Sequence, residues 1–212
     1  MLILSDFGCN EQGYIAQAKH LACPRPGGCP LCGAKDSLIG HGYYKRKALD
    51  EQQAYFILVK RWWCKVCHRT CAILPNFLLP HRQYLVRVIQ GAVVACFEQG
   101  LNWKRVRQAC AQGEIPVLRT LQRWCKAFGG YASLWLAGVQ TFLAQQQSTS
   151  SWLDPQGEGA QTGNSGKALL SASLHLLAWA KTEWVGLVAY GLADRLRFLG
   201  LWGCQRGLGR LV

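Results

Sequence analysis

CPLCG (residues 29–33) and CKVCH (residues 64–68) decide how this 212-residue chain is read. Each is a CxxC turn that offers two thiols from one tight loop, and 31 residues separate the pairs. That interval holds two strand-like runs, LIGHGYYKRKA (38–48) and AYFILVKRWW (54–63), joined by LDEQQ (49–53). A β-hairpin between the two turns brings Cys29, Cys32, Cys64 and Cys67 together, and Zn²⁺ accepts four thiolates tetrahedrally without redox chemistry. Gly33 suits the positive φ that follows such a turn, and His68 takes the matching place after the second pair. A hairpin with loops buries little apolar area, so the bound ion is expected to supply folding energy that packing cannot.

Other chemistries weigh less. CKVCH also spells a CxxCH haem-attachment pattern, but that leaves the first pair unexplained. A thioredoxin-like CxxC needs a βαβ setting that an aromatic, basic hairpin does not provide. Cys23, Cys71, His41 and His68 lie nearby in sequence and are left outside the ligand set.

Charge is concentrated in the same part of the chain. Cys23–Phe128 carries 17 Lys and Arg against five acids, +12 of the overall +13. Such a segment is expected to meet a polyanion. The opening MLILSDFGCNEQGYIAQ lacks the features of a secretory signal, which places the chain in a reducing cytoplasm, where eleven cysteines read as metal ligands and buried thiols.

From residue 85 the periodicity turns helical. Leu85, Val88, Ile89 and Ala92 form one stripe in a helix ending at Gly100; Asn102 is set to cap a second helix that stops at Gly113. A third begins near Pro116. In it Val117, Leu121, Trp124 and Phe128 form a packing face, opposite Arg119, Gln122, Arg123 and Lys126. The second and third helices have the order and spacing of a helix-turn-helix, in which arginine and glutamine reach base edges and lysine reaches phosphate. Lys104 and Arg105 of the second helix, and Lys45, Arg46, Lys47 and Arg61 of the ribbon, are further candidate DNA contacts.

The fold class expected is α+β: a small four-cysteine zinc ribbon (β-hairpin), then an all-α helix-turn-helix domain and an apolar helical tail. The divisions fall at 1–22 (leader), 23–84 (ribbon), 85–128 (helix-turn-helix), 129–145 (helix), 146–166 (Gln-, Ser- and Gly-rich linker) and 167–212 (tail). In the tail the uncharged run from Ala168 to Ala180 spans only 13 residues, whereas a membrane-crossing helix needs about 20. The tail is expected to pack within the chain, on a partner protein, or on a second copy.

CPLCG, HGYYKRK, RWWCKVCHRT, LPNFLLPHRQY and TLQRW, in this order, resemble the N-terminal zinc ribbon and helix-turn-helix of bacterial insertion-sequence transposases, and related short proteins, over Cys29–Phe128. The resemblance implies one zinc ion on the four cysteines and double-stranded DNA on the third helix. His68 stands where that family usually has glycine. Such a transposase continues into a nuclease domain with three metal-binding carboxylates, but the residues after Phe128 hold only Asp154, Glu158, Glu183 and Asp194. The expectation is a DNA-binding protein that is not itself an enzyme. An RNA- or protein-binding adaptor and a truncated transposase are the alternatives.

Overall fold

The alternation in YYKRKA (43–48) favours an extended chain with unlike faces: Lys45 and Lys47 are exposed, whereas Ala48 is fully buried. The computed structural model, which describes residues 1–17, 23–110, 116–146, 164–183 and 195–212, contains the hairpin. Strand β2 (Leu38–Leu49) pairs antiparallel with β3 (Ala54–Cys64). At the turn the Asp50 carboxylate accepts the N–H groups of Gln52 (2.7 Å) and Gln53 (2.6 Å), and the Tyr55 hydroxyl (2.7 Å). Strand β4 (Thr70–Pro75) adds antiparallel to β3. The first residues, read as a leader, form β1 (Leu2–Ser5), parallel to β4, and the sheet order is β1-β4-β3-β2.

Pairing with β4 occupies β3 only from Lys60 to Trp63. Beyond it, helix α1 (Glu11–Gln17) serves the open edge: the buried Tyr14 donates its hydroxyl to Leu58 O (2.8 Å) and packs edge-on against Phe7 and Phe77. Leader residues 18–22 lie outside the described residues.

On one sheet face Ala48, Ile57, Val59 and Leu74 are buried, and the segment that follows β4 adds buried Phe77, Leu78, Leu79 and Leu85. Arg46 ties that segment to the sheet through hydrogen bonds to Leu79 O (2.6 Å) and Arg82 O (2.5 Å). Segments outside the hairpin bring an apolar core of their own. The sheet and its cover form one unit, Met1–Val86.

The second unit, Arg87–Val212, is helical in its described residues. Helix α2 (Val86–Phe97) buries Val88, Ile89 and Ala92 as the stripe predicts, and it ends with Gly100 at φ 61° and Leu101 N–H bonded to Ala95 O (2.9 Å). Asn102 caps α3 (Trp103–Cys110), its side-chain oxygen accepting Arg105 N–H at 3.0 Å. Helix α4 (Leu118–Gln146) runs unbroken through the division expected at 128/129 and buries Leu121, Trp124, Cys125, Phe128, Ala132, Trp135, Val139 and Leu143. Val117 was expected in that face, but it is 55% exposed. It precedes the first helical turn and so falls outside the stripe.

The tail forms α5 (Ser165–Glu183) and α6 (Arg195–Gln205), and both supply core to this unit. Linker residues 147–163 lie outside the described residues, and the ends of the expected 146–166 segment are helical. Gly203 of α6 meets α4 so closely that a Cβ there would overlap the Trp135 ring. Trp135 Nε1 donates to Arg210 O (3.1 Å), and Leu211 and Val212 are buried. Among the described residues no helix is long and apolar enough to cross a membrane.

One buried cation fastens α6. Arg195 donates to both carboxylate oxygens of Glu98 (3.1 and 2.6 Å) and to Leu170 O (3.3 Å), while Leu196 N–H reaches the Gln90 side-chain oxygen (2.8 Å). The hydrogen bonds from Arg195 hold the Glu98 carboxyl below the usual carboxylate range. A carboxyl lowered by folding stabilises the native state above its unfolded pKa of about 4.3, and that contribution is lost as pH falls through the lowered value. Glu98→Gln is therefore expected to cost roughly 1–3 kcal/mol at pH 7 by leaving the guanidinium incompletely paired. Melting curves from pH 7 to 3 should show wild type and variant converging in acid; a constant gap across that range contradicts the assignment.

Candidate metal centre and basic surfaces

Each CxxC turn is built by the same pair of backbone hydrogen bonds. In the first, Cys29 N–H bonds Ala34 O (2.9 Å) and Gly33 N–H bonds Cys29 O (2.8 Å); in the second, Cys64 N–H bonds Arg69 O (3.0 Å) and His68 N–H bonds Cys64 O (3.0 Å). The fifth residue of each turn is left-handed, Gly33 at φ 73° and His68 at φ 56°. The non-glycine residue in the second turn rests its ring on Trp63, with centroids 5.4 Å apart. A further bond, Lys65 N–H to Ser37 O (2.9 Å), joins the second turn to the start of β2.

These turns bring the sulfurs of Cys29, Cys32, Cys64 and Cys67 within 4.8 Å of one another. The short contacts cross between turns: Cys29 to Cys67 is 3.7 Å and Cys32 to Cys64 is 3.8 Å. Thiolates placed tetrahedrally about a divalent ion at ~2.3 Å lie ~3.8 Å apart, so the spacing fits a four-sulfur metal site. Leu38 and Cys71 are buried beside Cys29 and Cys64, with Ile3 and Trp62 packed against them. Cys71, whose thiol burial pushes up, stands outside the quartet, as do Cys23, His41 and His68.

The electrostatics suit a cation. The Cys67 amide, then the Ser37 hydroxyl, favour the Cys64 thiolate and bring its pKa down to about 6; the Leu31 amide leads the lowering at Cys29. At Cys67 the Arg69 amide favours the thiolate, yet burial and the three neighbouring sulfurs push the group up to about 12. Four thiolates at contact distance repel one another, and a divalent cation at their centre reverses that penalty.

The candidate basic residues divide by face. Lys45 and Lys47 are exposed on one side of the hairpin, whereas Arg46 and Arg61 are half-buried on the other, and Arg46 is committed to Leu79 O and Arg82 O. Arg46 thereby has a structural role, holding the segment after β4 to the sheet. In the second unit α3 turns Val106 and Cys110 inward and leaves Lys104, Arg105 and Arg107 exposed. On α4 the exposed Arg119, Arg123 and Lys126, with the half-buried Gln122, follow i, i+4, i+7 and i+3 spacing on one stripe. Neither helix contains a carboxylate. The expected turn at 113–115 lies outside the described residues.

Because the thiols sit at one end of the sheet and the Ile57–Val59 core at the other, metal loss should act locally. Chelation, or Cys64→Ser, is expected to raise amide exchange in residues 25–41 and 62–71 while 44–59 and 76–86 keep their protection. Hydrogen-exchange mass spectrometry reads this directly. Unchanged exchange around the turns, or unfolding of the whole unit, would contradict it.

Residues 29–124 match the model of a family described as Domain of unknown function (DUF6431). The match runs from the first cysteine of the quartet to Trp124 in α4. No curated protein and no solved structure matches the chain.

Proposed function

We propose that this chain is a zinc-dependent double-stranded DNA-binding protein, in which the four cysteines hold one Zn²⁺ and α3 and α4 dock on the duplex. The observation that carries the reading is the carboxylate-free basic surface of those two helices, six exposed cations on Lys104, Arg105, Arg107, Arg119, Arg123 and Lys126. Zinc is the divalent ion favoured by a closed set of four thiolates. Arg119, Gln122 and Arg123 supply base contacts, and Lys104, Arg105 and Lys126 supply phosphate contacts. The motifs that resemble a transposase N-terminal region support an origin in a mobile element. On this reading the chain binds DNA without cutting it.

The three phosphate-facing cations give an expected slope of log K against log salt of about −3. Arg123→Ala is expected to cost about 1–3 kcal/mol on a duplex selected from a random pool and to relax base preference there, whereas Lys126→Ala should weaken all sequences alike. Binding titrations at several salt concentrations measure both. A slope near zero, or an Arg123→Ala variant with intact fold, affinity and preference, would overturn the assignment.

A further inference from the structure

The solvent side of the hairpin carries a surface that duplex docking by α3 and α4 does not use. Strand register places Tyr43 opposite Lys60, Lys45 opposite Leu58 and Lys47 opposite Phe56. Side chains alternate, so these three rungs share one face, ~7 Å apart along the strand. Phe56 is 65% exposed and Tyr43 37%. Lys45 and Lys47 are exposed between them, and no carboxylate stands on the three rungs. Lys60 is held in place, its Nζ 4.5 Å from the centre of the Tyr43 ring and 5.5 Å from that of Trp62. The arrangement sets the rings of Tyr43 and Phe56 among the cations of Lys45, Lys47 and Lys60 on one sheet face.

A scattered exposed aromatic needs no explanation, and a lysine row by itself is a solvated face. Here the two coincide. The lysines match a polyanion, and the rings add what a duplex with stacked bases cannot occupy. We infer that this face binds a single unpaired polynucleotide strand, with bases stacked on Phe56 and Tyr43 and phosphates on Lys45, Lys47 and Lys60. Every base has a π-face, so the surface tolerates sequence, and affinity depends on salt through its lysines. A protein that binds duplex through one unit would then hold an opened strand through the other, although the strand site does not depend on the duplex reading.

Fluorescence anisotropy of the full chain tests this with three labelled probes: a twelve-residue oligothymidylate, a twelve-residue abasic strand and a twenty-base-pair duplex. Phe56→Ala is expected to weaken the oligothymidylate about 5- to 150-fold, the range for loss of one stacked base. Phe56→Trp should restore or exceed wild-type affinity. The abasic strand should bind weakly and ignore residue 56, and duplex affinity should be unchanged in both variants. Phe56 is exposed, so thermal melting should match wild type. The inference is overturned if wild type does not bind oligothymidylate, if the abasic strand binds as tightly, or if Phe56→Ala leaves oligothymidylate affinity unchanged. Loss of duplex affinity in Lys47→Ala with oligothymidylate binding intact would likewise overturn it and give the lysines to duplex phosphates. Arg123→Ala serves as the separating control: it tests only the duplex reading and should leave oligothymidylate binding intact.

Discussion

Four sulfurs held within contact distance are a constraint that the polypeptide cannot satisfy comfortably by itself. Ordinary cores bring together groups that attract or are neutral; here two loops, 31 residues apart in sequence, point groups that repel once ionised at one centre. The matching backbone bonds of the two turns and the amide and hydroxyl donors aimed at Cys64 fix the geometry in advance of any ion. A divalent cation bound there would turn that electrostatic cost into a cross-link between the two turns. The β2–β3 register is consistent with it, placing Leu38 opposite Cys64 at the end of the hairpin where the two turns meet.

The helical unit rests on different physics. Its long helix α4 presents a continuous buried stripe, and α5 and α6 complete it with apolar side chains and a glycine small enough to admit Trp135. Packing of this kind is dense and non-directional. The Arg195–Glu98 pair and the Gln90 contact add direction, since a buried guanidinium and an amide hydrogen bond admit one placement of α6. The basic residues of α3 and α4 are exposed on the outside of that core.

Much of this was legible in the residues. The cysteine spacing located the quartet, the two strand-like runs on either side of LDEQQ located the hairpin, and Asn102 and Gly100 marked the helix boundaries at which their caps form. Other features were hidden for identifiable reasons. AYFILV is apolar throughout, so periodicity could not tell that Phe56 faces solvent while Ile57 is buried; only pairing with β2 decides it. Arg46 reads as one of three cations in a row until its turn inward brings it to the carbonyls of residues 79 and 82. The leader was given no element of its own because a four-residue strand has no signature without the β4 edge that receives it. A division was expected at 128/129, but α4 continues through Gly129 and Gly130 because tertiary packing on both sides outweighs their low helix propensity.

The central claim is that the four thiols hold one zinc ion. Its most direct test is X-ray absorption at the zinc edge, with elemental analysis, on protein purified without added metal. The expected result is one zinc per chain with four sulfur neighbours at ~2.3 Å and no nitrogen or oxygen in the shell. A metal-free protein whose turns remain protected, or a shell that includes histidine nitrogen, would contradict it.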